Sequence, residues 1–366
     1  MHFFSSGKAI FRCLRPFLEM TCRSVPGLLA AMLIVVSAPL AFGQKVNLKL
    51  DTSEADCAIV ILQKESARTV VAAADWQALF SSVPYQRLKM RETSIGAPFT
   101  DDAFKTFLEA PDTVAKTEAL RKTLDAWKQA NMESIGERDL AYLPAEAQIH
   151  AKVYPEIKPA ANSFVWGSGD DRAIFLYLNP ALNKAQFENK VTHECHHIGV
   201  DSLQAEEERA IAGLSEAQKT AVRWLGGFGE GEAMLAAAGS PSVHPHALDD
   251  EAARDQWDND MQHFGENLTA VQQFLLDILE KKLTEPNAIE QRAEPFYGQQ
   301  GAWYTVGYRM ASLVEVRFGR QALTGAMIDP RKLLVLYNRA ASEQNQQQGI
   351  HLALWSPELL QKLGAG

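Results

Sequence analysis

Five consecutive residues could do chemistry by their types and spacing: His193-Glu194-Cys195-His196-His197. On an α-helix, positions i and i+4 lie one above the other on a single face. His193 and His197 can therefore both direct an imidazole nitrogen at one metal ion. Glu194 sits roughly 100° further round the helix. From there it can take a proton from water without ligating the metal, which is the position a general base needs. His-Glu-x-x-His on a helix is a zinc-hydrolase spacing, so the chemistry implied is metal-assisted hydrolysis with Zn²⁺ as cofactor.

The elements around this stretch must position it. No Gly or Pro interrupts Ala181 to Ile198, and Leu182, Phe187, Val191 and Ile198 recur near helical spacing, which predicts a helix. Before it, 148–154, 162–166 and 173–178 read as strands, with a Gly167–Asp171 turn between the last two. They predict a small antiparallel sheet just ahead of the helix. Its edge could hold an extended peptide by main-chain hydrogen bonds.

Catalytic zinc takes three protein ligands and leaves a fourth position open. Past the helix, Gly226-Gly227-Phe228-Gly229-Glu230-Gly231-Glu232 leads into an alanine-rich helix whose small residues permit close packing. Glu230, 33 residues beyond His197 at the start of that helix, can reach a metal held by the first helix and is the candidate third ligand, with Glu232 as its rival and Glu216 behind them. A longer His-Glu-x-x-His-x-x-Gly-x-x-His pattern is excluded, because Val200 and Leu203 occupy the required Gly and His positions. Asp201, one turn beyond His197, is the candidate partner for a ligand imidazole. Tyr304 and Tyr308, one turn apart, are candidate donors to an oxyanion, with aromatic core packing as the alternative. His196 could touch substrate or support the ligands. A second possible metal group is His244, His246 and His263.

The rest of the chain reads as scaffold. Val46–Leu50 alternates like a short strand, and Asp51-Thr52-Ser53 caps a helix through Leu62. From Asp75 to Ala145 the pattern is helical, broken at Pro84, Pro98 and Pro111, with Thr113–Asn131 the most amphipathic stretch. Helices are also expected over Leu203–Arg223, Ala247–Leu283, Phe296–Phe318 and Lys332–Ala341, with Gln344–Gln348 as a polar loop. The fold class expected is α+β, mainly helical, in three parts: 1–43 a signal peptide, 44–145 an N-terminal helical region, and 146–366 the catalytic domain.

Residues 1–43 carry Lys8, Arg12, Arg15 and Arg23, then an apolar run from Gly27 to Phe42 and a small-x-small Ala41-Phe42-Gly43. This is the make-up of a cleaved export signal, so a periplasmic or secreted protein without a stable membrane span is expected. The whole chain has a formal charge of −9, and removing this basic segment makes it more acidic. This acidic balance argues against a nucleic-acid partner. Beyond this segment the cysteines are Cys57 and Cys195, either a disulfide or two free thiols.

Three stretches together resemble a bacterial exported family of zinc-dependent peptidases, gluzincin-like in their ligands. They are Thr192–Ile198 with its preceding sheet, Glu230-Gly231-Glu232-Ala233, and Gly301–Tyr308. The resemblance implies a zincin-like core and hydrolysis of a peptide or protein substrate. Two other readings carry the same ligands: an exported zinc-binding protein without catalysis, and a zinc hydrolase of a non-protein amide such as a cell-wall peptide.

Overall fold

The computed structural model describes residues 45–365 except 299, 349 and 350, so the expected signal segment 1–43 lies outside the described residues. The fold is α+β and mainly helical, with one four-stranded sheet. The strands are β1 (Val46–Leu50), β2 (Ile149–Glu156), β3 (Phe164–Trp166) and β4 (Ala173–Tyr177), in the order β1-β2-β4-β3.

The expected antiparallel sheet is a mixed one. β1 pairs with β2 in parallel, Val46 facing Ile149, and β2 pairs with β4 in parallel, Lys152 facing Ala173. Only β3 runs antiparallel, with Phe164 facing Phe175. Alternation within one strand does not encode its direction. β2 and β4 run in parallel because β3, between them in the chain, lies outside β4 at the sheet's edge, and β1 reaches β2 in parallel across a helical excursion of about a hundred residues.

That excursion comprises α1 (Ser53–Ser66), α2 (Ala73–Ser81), α3 (Val83–Ser94), α4 (Asp101–Glu109), α5 (Pro111–Val114), α6 (Thr117–Trp127) and α7 (Met132–Leu140). Pro84 and Pro111 sit in the first turns of α3 and α5, where a missing N–H costs nothing. The amphipathic 113–131 stretch divides between α5 and α6. β2 buries Ile149, Ala151 and Val153 in the main core, while Tyr154 joins Leu88, Phe164, Ala173 and Phe175 in a smaller cluster under α3. Alternation along the strand thus gives the sheet two covered faces.

After β4 come α8 (Lys184–Asp201), α9 (Gln204–Ile211), α10 (Glu216–Leu225), α11 (Gly229–Ala238), α12 (Glu251–Gln262), α13 (Phe264–Leu279) and α14 (Pro286–Ala293). The chain then forms α15 (Ala302–Phe318), α16 (Arg320–Met327), α17 (Arg331–Gln348) and α18 (Pro357–Leu363). The polar run from Gln344 is helical and not a loop, because Asn345 holds the returning chain from both sides. Its side chain accepts from the Leu352 N–H at 2.8 Å and donates to the Leu352 carbonyl at 3.0 Å. No helix among the described residues is long and apolar enough to cross a membrane.

The tightest packing is between α11 and α15. A Cβ on Gly231 would lie 2.0 Å from the Tyr308 backbone nitrogen and 2.6 Å from the Tyr304 carbonyl oxygen; one on Gly307 would lie 2.5 Å from the Phe228 carbonyl oxygen. Both obstacles are main chain and cannot rotate away. Gly231→Ala should therefore destabilise the fold by about 3 kcal/mol, the upper range for overpacking, read as a lowered chemical-denaturation midpoint.

Candidate metal centre

α8 is defined at its start by a reciprocal cap. Asn183 Oδ1 accepts from the Gln186 N–H and Gln186 Oε1 accepts from the Asn183 N–H, both at 3.0 Å. Its apolar side, Phe187, Val191, Cys195 and Ile198, enters the core, with Phe187 stacked on Trp127 at 4.4 Å between centroids. Its other side is gripped by α7. Arg138 donates to the Thr192 hydroxyl, and His196 Nδ1 lies 3.2 Å from Asp139 Oδ1, both residues wholly buried. His196 is thus a core residue that ties α7 to α8.

The remaining face presents His193, Glu194 and His197. α11 crosses it so that Glu230, 2% exposed, meets both imidazoles. His193 Nε2 stands 3.2 Å from Glu230 Oε2, His197 Nε2 3.4 Å from the same oxygen, and the two imidazole nitrogens are 3.2 Å apart. Three donors around a tetrahedral ion with bonds of about 2.0 Å lie roughly 3.3 Å from one another. The triangle fits zinc, and its two nitrogens and one carboxylate oxygen are donor types that zinc takes. Among the described residues this is the one group of three or more His, Cys, Asp or Glu side chains gathered closely enough to hold a metal.

The electrostatics agree. Burial would raise the Glu230 carboxyl, yet the charges and hydrogen bonds of His197 and His193 hold it well below the ordinary carboxylate range. Burial opposes charge on His197, but Glu230, Glu194 and Asp201 keep its pKa up at about 9. This pocket is made for positive charge. Glu194, 5% exposed, is pushed upward by burial, pulled back by His193 and His197, raised by Glu230 and lowered by Lys190.

Other candidates fall into place around this group. Burial and the charges of Glu230 and Glu194 raise the Tyr304 phenol, whereas the Tyr308 hydroxyl donates to the Val243 carbonyl at 3.3 Å and its ring packs edge-on against Trp257. Glu232 is buried outside the triangle, its pKa pushed up to about 8 by burial and by Glu207. Glu216 is paired with Lys219 at 2.9 Å. Asp201 pairs with Arg172 at 3.3 Å and reaches His197 through its charge. His244, His246 and His263 do not converge: their partners are Asp258, Asp249 and the Asn259 carbonyl. Cys57 and Cys195 are free thiols.

Sequence reasoning missed a polar wall beside Glu194. Lys190, one turn earlier on α8, lies in the field of both Glu194 and Asp249. Asp249 accepts from Gln186 at 3.2 Å and pairs with His246 Nδ1 at 2.8 Å, and His246 Nε2 meets Gln300 Nε2 at 3.2 Å. The i−4 spacing of Lys190 from Glu194 was a readable signal. The loop residues gave none. Tyr297, raised by burial and by the charge of Glu230, is a further aromatic neighbour found only in three dimensions.

A mainly helical protein with a small mixed sheet and a largely buried His-His-Glu group able to hold a metal is the class that fold and site define. Residues 76–346 match a family described as "Putative zinc dependent peptidase (DUF5700)", and the chain belongs to that family. No curated protein and no solved structure matches it. Elemental analysis should find one zinc per chain in the wild type and in Glu232→Gln. It should find less than a tenth of that in His193→Ala and Glu230→Ala after dialysis, the scale of loss expected when a three-ligand site is broken.

Proposed function

We propose that the protein is a zinc-dependent peptidase with a zincin-like core, in which His193, His197 and Glu230 hold the metal and Glu194 is the general base. The observation that carries this reading is the convergence of two nitrogens and one carboxylate oxygen 3.2–3.4 Å apart, with Glu194 buried on the same helix face. Bound zinc would lower the pKa of a coordinated water toward about 7 and polarise a carbonyl.

The chain's own residues do the rest. Glu194 takes a proton as the water oxygen bonds to the scissile carbonyl carbon. It returns that proton to the departing nitrogen as the C–N bond breaks, so no net proton is held. Its raised pKa matches this double duty better than an ordinary carboxylate would. Tyr304, which lies in the field of both Glu230 and Glu194, is the candidate oxyanion donor of the two tyrosines. Tyr308 is held by Val243 and Trp257 and supports the helix.

The basic and apolar character of residues 1–43 supports export, and so a peptide or protein substrate met in the periplasm or outside the cell. Glu194→Gln should retain one zinc and the wild-type melting temperature while hydrolysis of an unfolded casein substrate falls roughly 10³-fold. Wild-type cleavage should also stop with a chelator and return with added zinc. Casein turnover by the variant at the wild-type rate would refute the base assignment.

A further inference from the structure

A second buried charge cluster, separate from the metal centre, lies where α1 begins and β2 ends. Glu54 and Glu156 are 0% exposed and Lys158 is 2% exposed. Glu54 Oε2 accepts the Ile157 N–H at 3.0 Å. Glu54 Oε1 and both oxygens of Glu156 meet no hydrogen-bond donor.

The nearby cations do not supply one. Lys158 Nζ donates to Asn162 Oδ1 at 2.8 Å and stands 4.5 Å above the Phe164 ring. Arg91 pairs with Glu92 at 2.7 Å and covers the same ring at 4.0 Å. The groups acting on the two carboxyls are Lys158, Arg91, Glu92 and Asp56; Tyr85 and Cys57 also lie in the field of Glu54. Asp56 is balanced by Lys128 at 2.5 Å, and of the rest Glu54, Glu156 and Glu92 exceed Arg91 and Lys158 by one negative charge. Acceptor-only oxygens buried without a donor, in a cluster one charge too negative, call for one more positive charge that also donates a hydrogen bond.

We propose that Glu54 and Glu156 together bind one proton at neutral pH, as a carboxylic acid–carboxylate pair that fastens the start of α1 to the end of β2. A proton meets both needs at once: it restores the charge balance and turns one acceptor into a donor. Lys158 and Arg91 stand where a metal ion would be repelled. Burial drives Glu54 up to about 8, against the Ile157 hydrogen bond and Lys158, and drives Glu156 well above its ordinary value.

The sign follows from linkage. Folded-state pKa values above the unfolded ones mean that the native state holds the extra proton. Stability from this pair is complete below about pH 4.5 and is lost as pH rises through about 8. The proposal stands independently of the hydrolytic reading.

The test is urea unfolding of the full chain from about pH 5 to pH 8, wild type against Glu156→Gln, whose amide supplies the missing donor without a proton. The wild-type folding constant should fall up to tenfold more per pH unit than that of the variant, the signature of one extra bound proton. Glu54→Gln should flatten the profile equally, and it replaces Glu156→Gln if that variant does not fold. In the wild type, infrared spectra at pH 7 should show a protonated-carboxyl band that either variant reduces. Parallel pH profiles with an unchanged infrared band would overturn the proposal. So would a wild-type midpoint that rises with millimolar calcium or potassium while the variants do not respond, since the occupant would then be a metal ion.

Discussion

A carboxylate with 2% of its surface exposed needs positive charge or hydrogen-bond donors beside it, and Glu230 is such a carboxylate. Its partners are two imidazoles, and although burial opposes charge on His197, Glu230, Glu194 and Asp201 favour it, so the site as built draws in a cation: a proton on His197 or a divalent ion across all three donors. Much of the surrounding architecture serves this arrangement. The capped start of α8 and its clasp by α7 through Asp139 and Arg138 hold donors that would otherwise separate.

Close packing supplies the precision. α11 can bring Glu230 to the imidazoles because Gly231 and Gly307 let its backbone rest almost directly on that of α15. The same contact sets Tyr304 beside the ligand. Moving α15 outward by a single methyl group would carry Tyr304 away from Glu230 on α11, so helix packing and site geometry form one constraint rather than two.

The sheet carries this load on two covered faces. Toward the main core, β2 contributes Ile149, Ala151 and Val153; on its other face Tyr154 packs under α3, where Arg91 and Lys158 lie over Phe164. Buried ionisable groups at the metal centre, at Asp139–His196 and at Glu54–Glu156 each depend on a local partner or proton. Such groups cost stability, and where they persist they fix one arrangement among those that hydrophobic packing alone would allow.

Residue types and helical period made His193, Glu194 and His197 legible in the sequence, because i and i+4 geometry is local. Glycines ahead of an alanine-rich run pointed to a close-packed helix bearing Glu230, and β1, β2, β3, β4 and most helices were readable from alternation and period. Strand direction was not, since β1 and β2 are joined in parallel across some hundred residues and no local pattern records that. Nor was the separation of Tyr304 from Tyr308. One turn apart, they look equivalent along the chain, and only the neighbours they meet, Glu230 for one and Val243 with Trp257 for the other, distinguish them. What the sequence determined by itself was the set of donors and the elements carrying them. Which carboxylate closes the triangle, and which groups stand buried beside it, was decided by tertiary packing, because convergence over 33 residues depends on how whole helices cross.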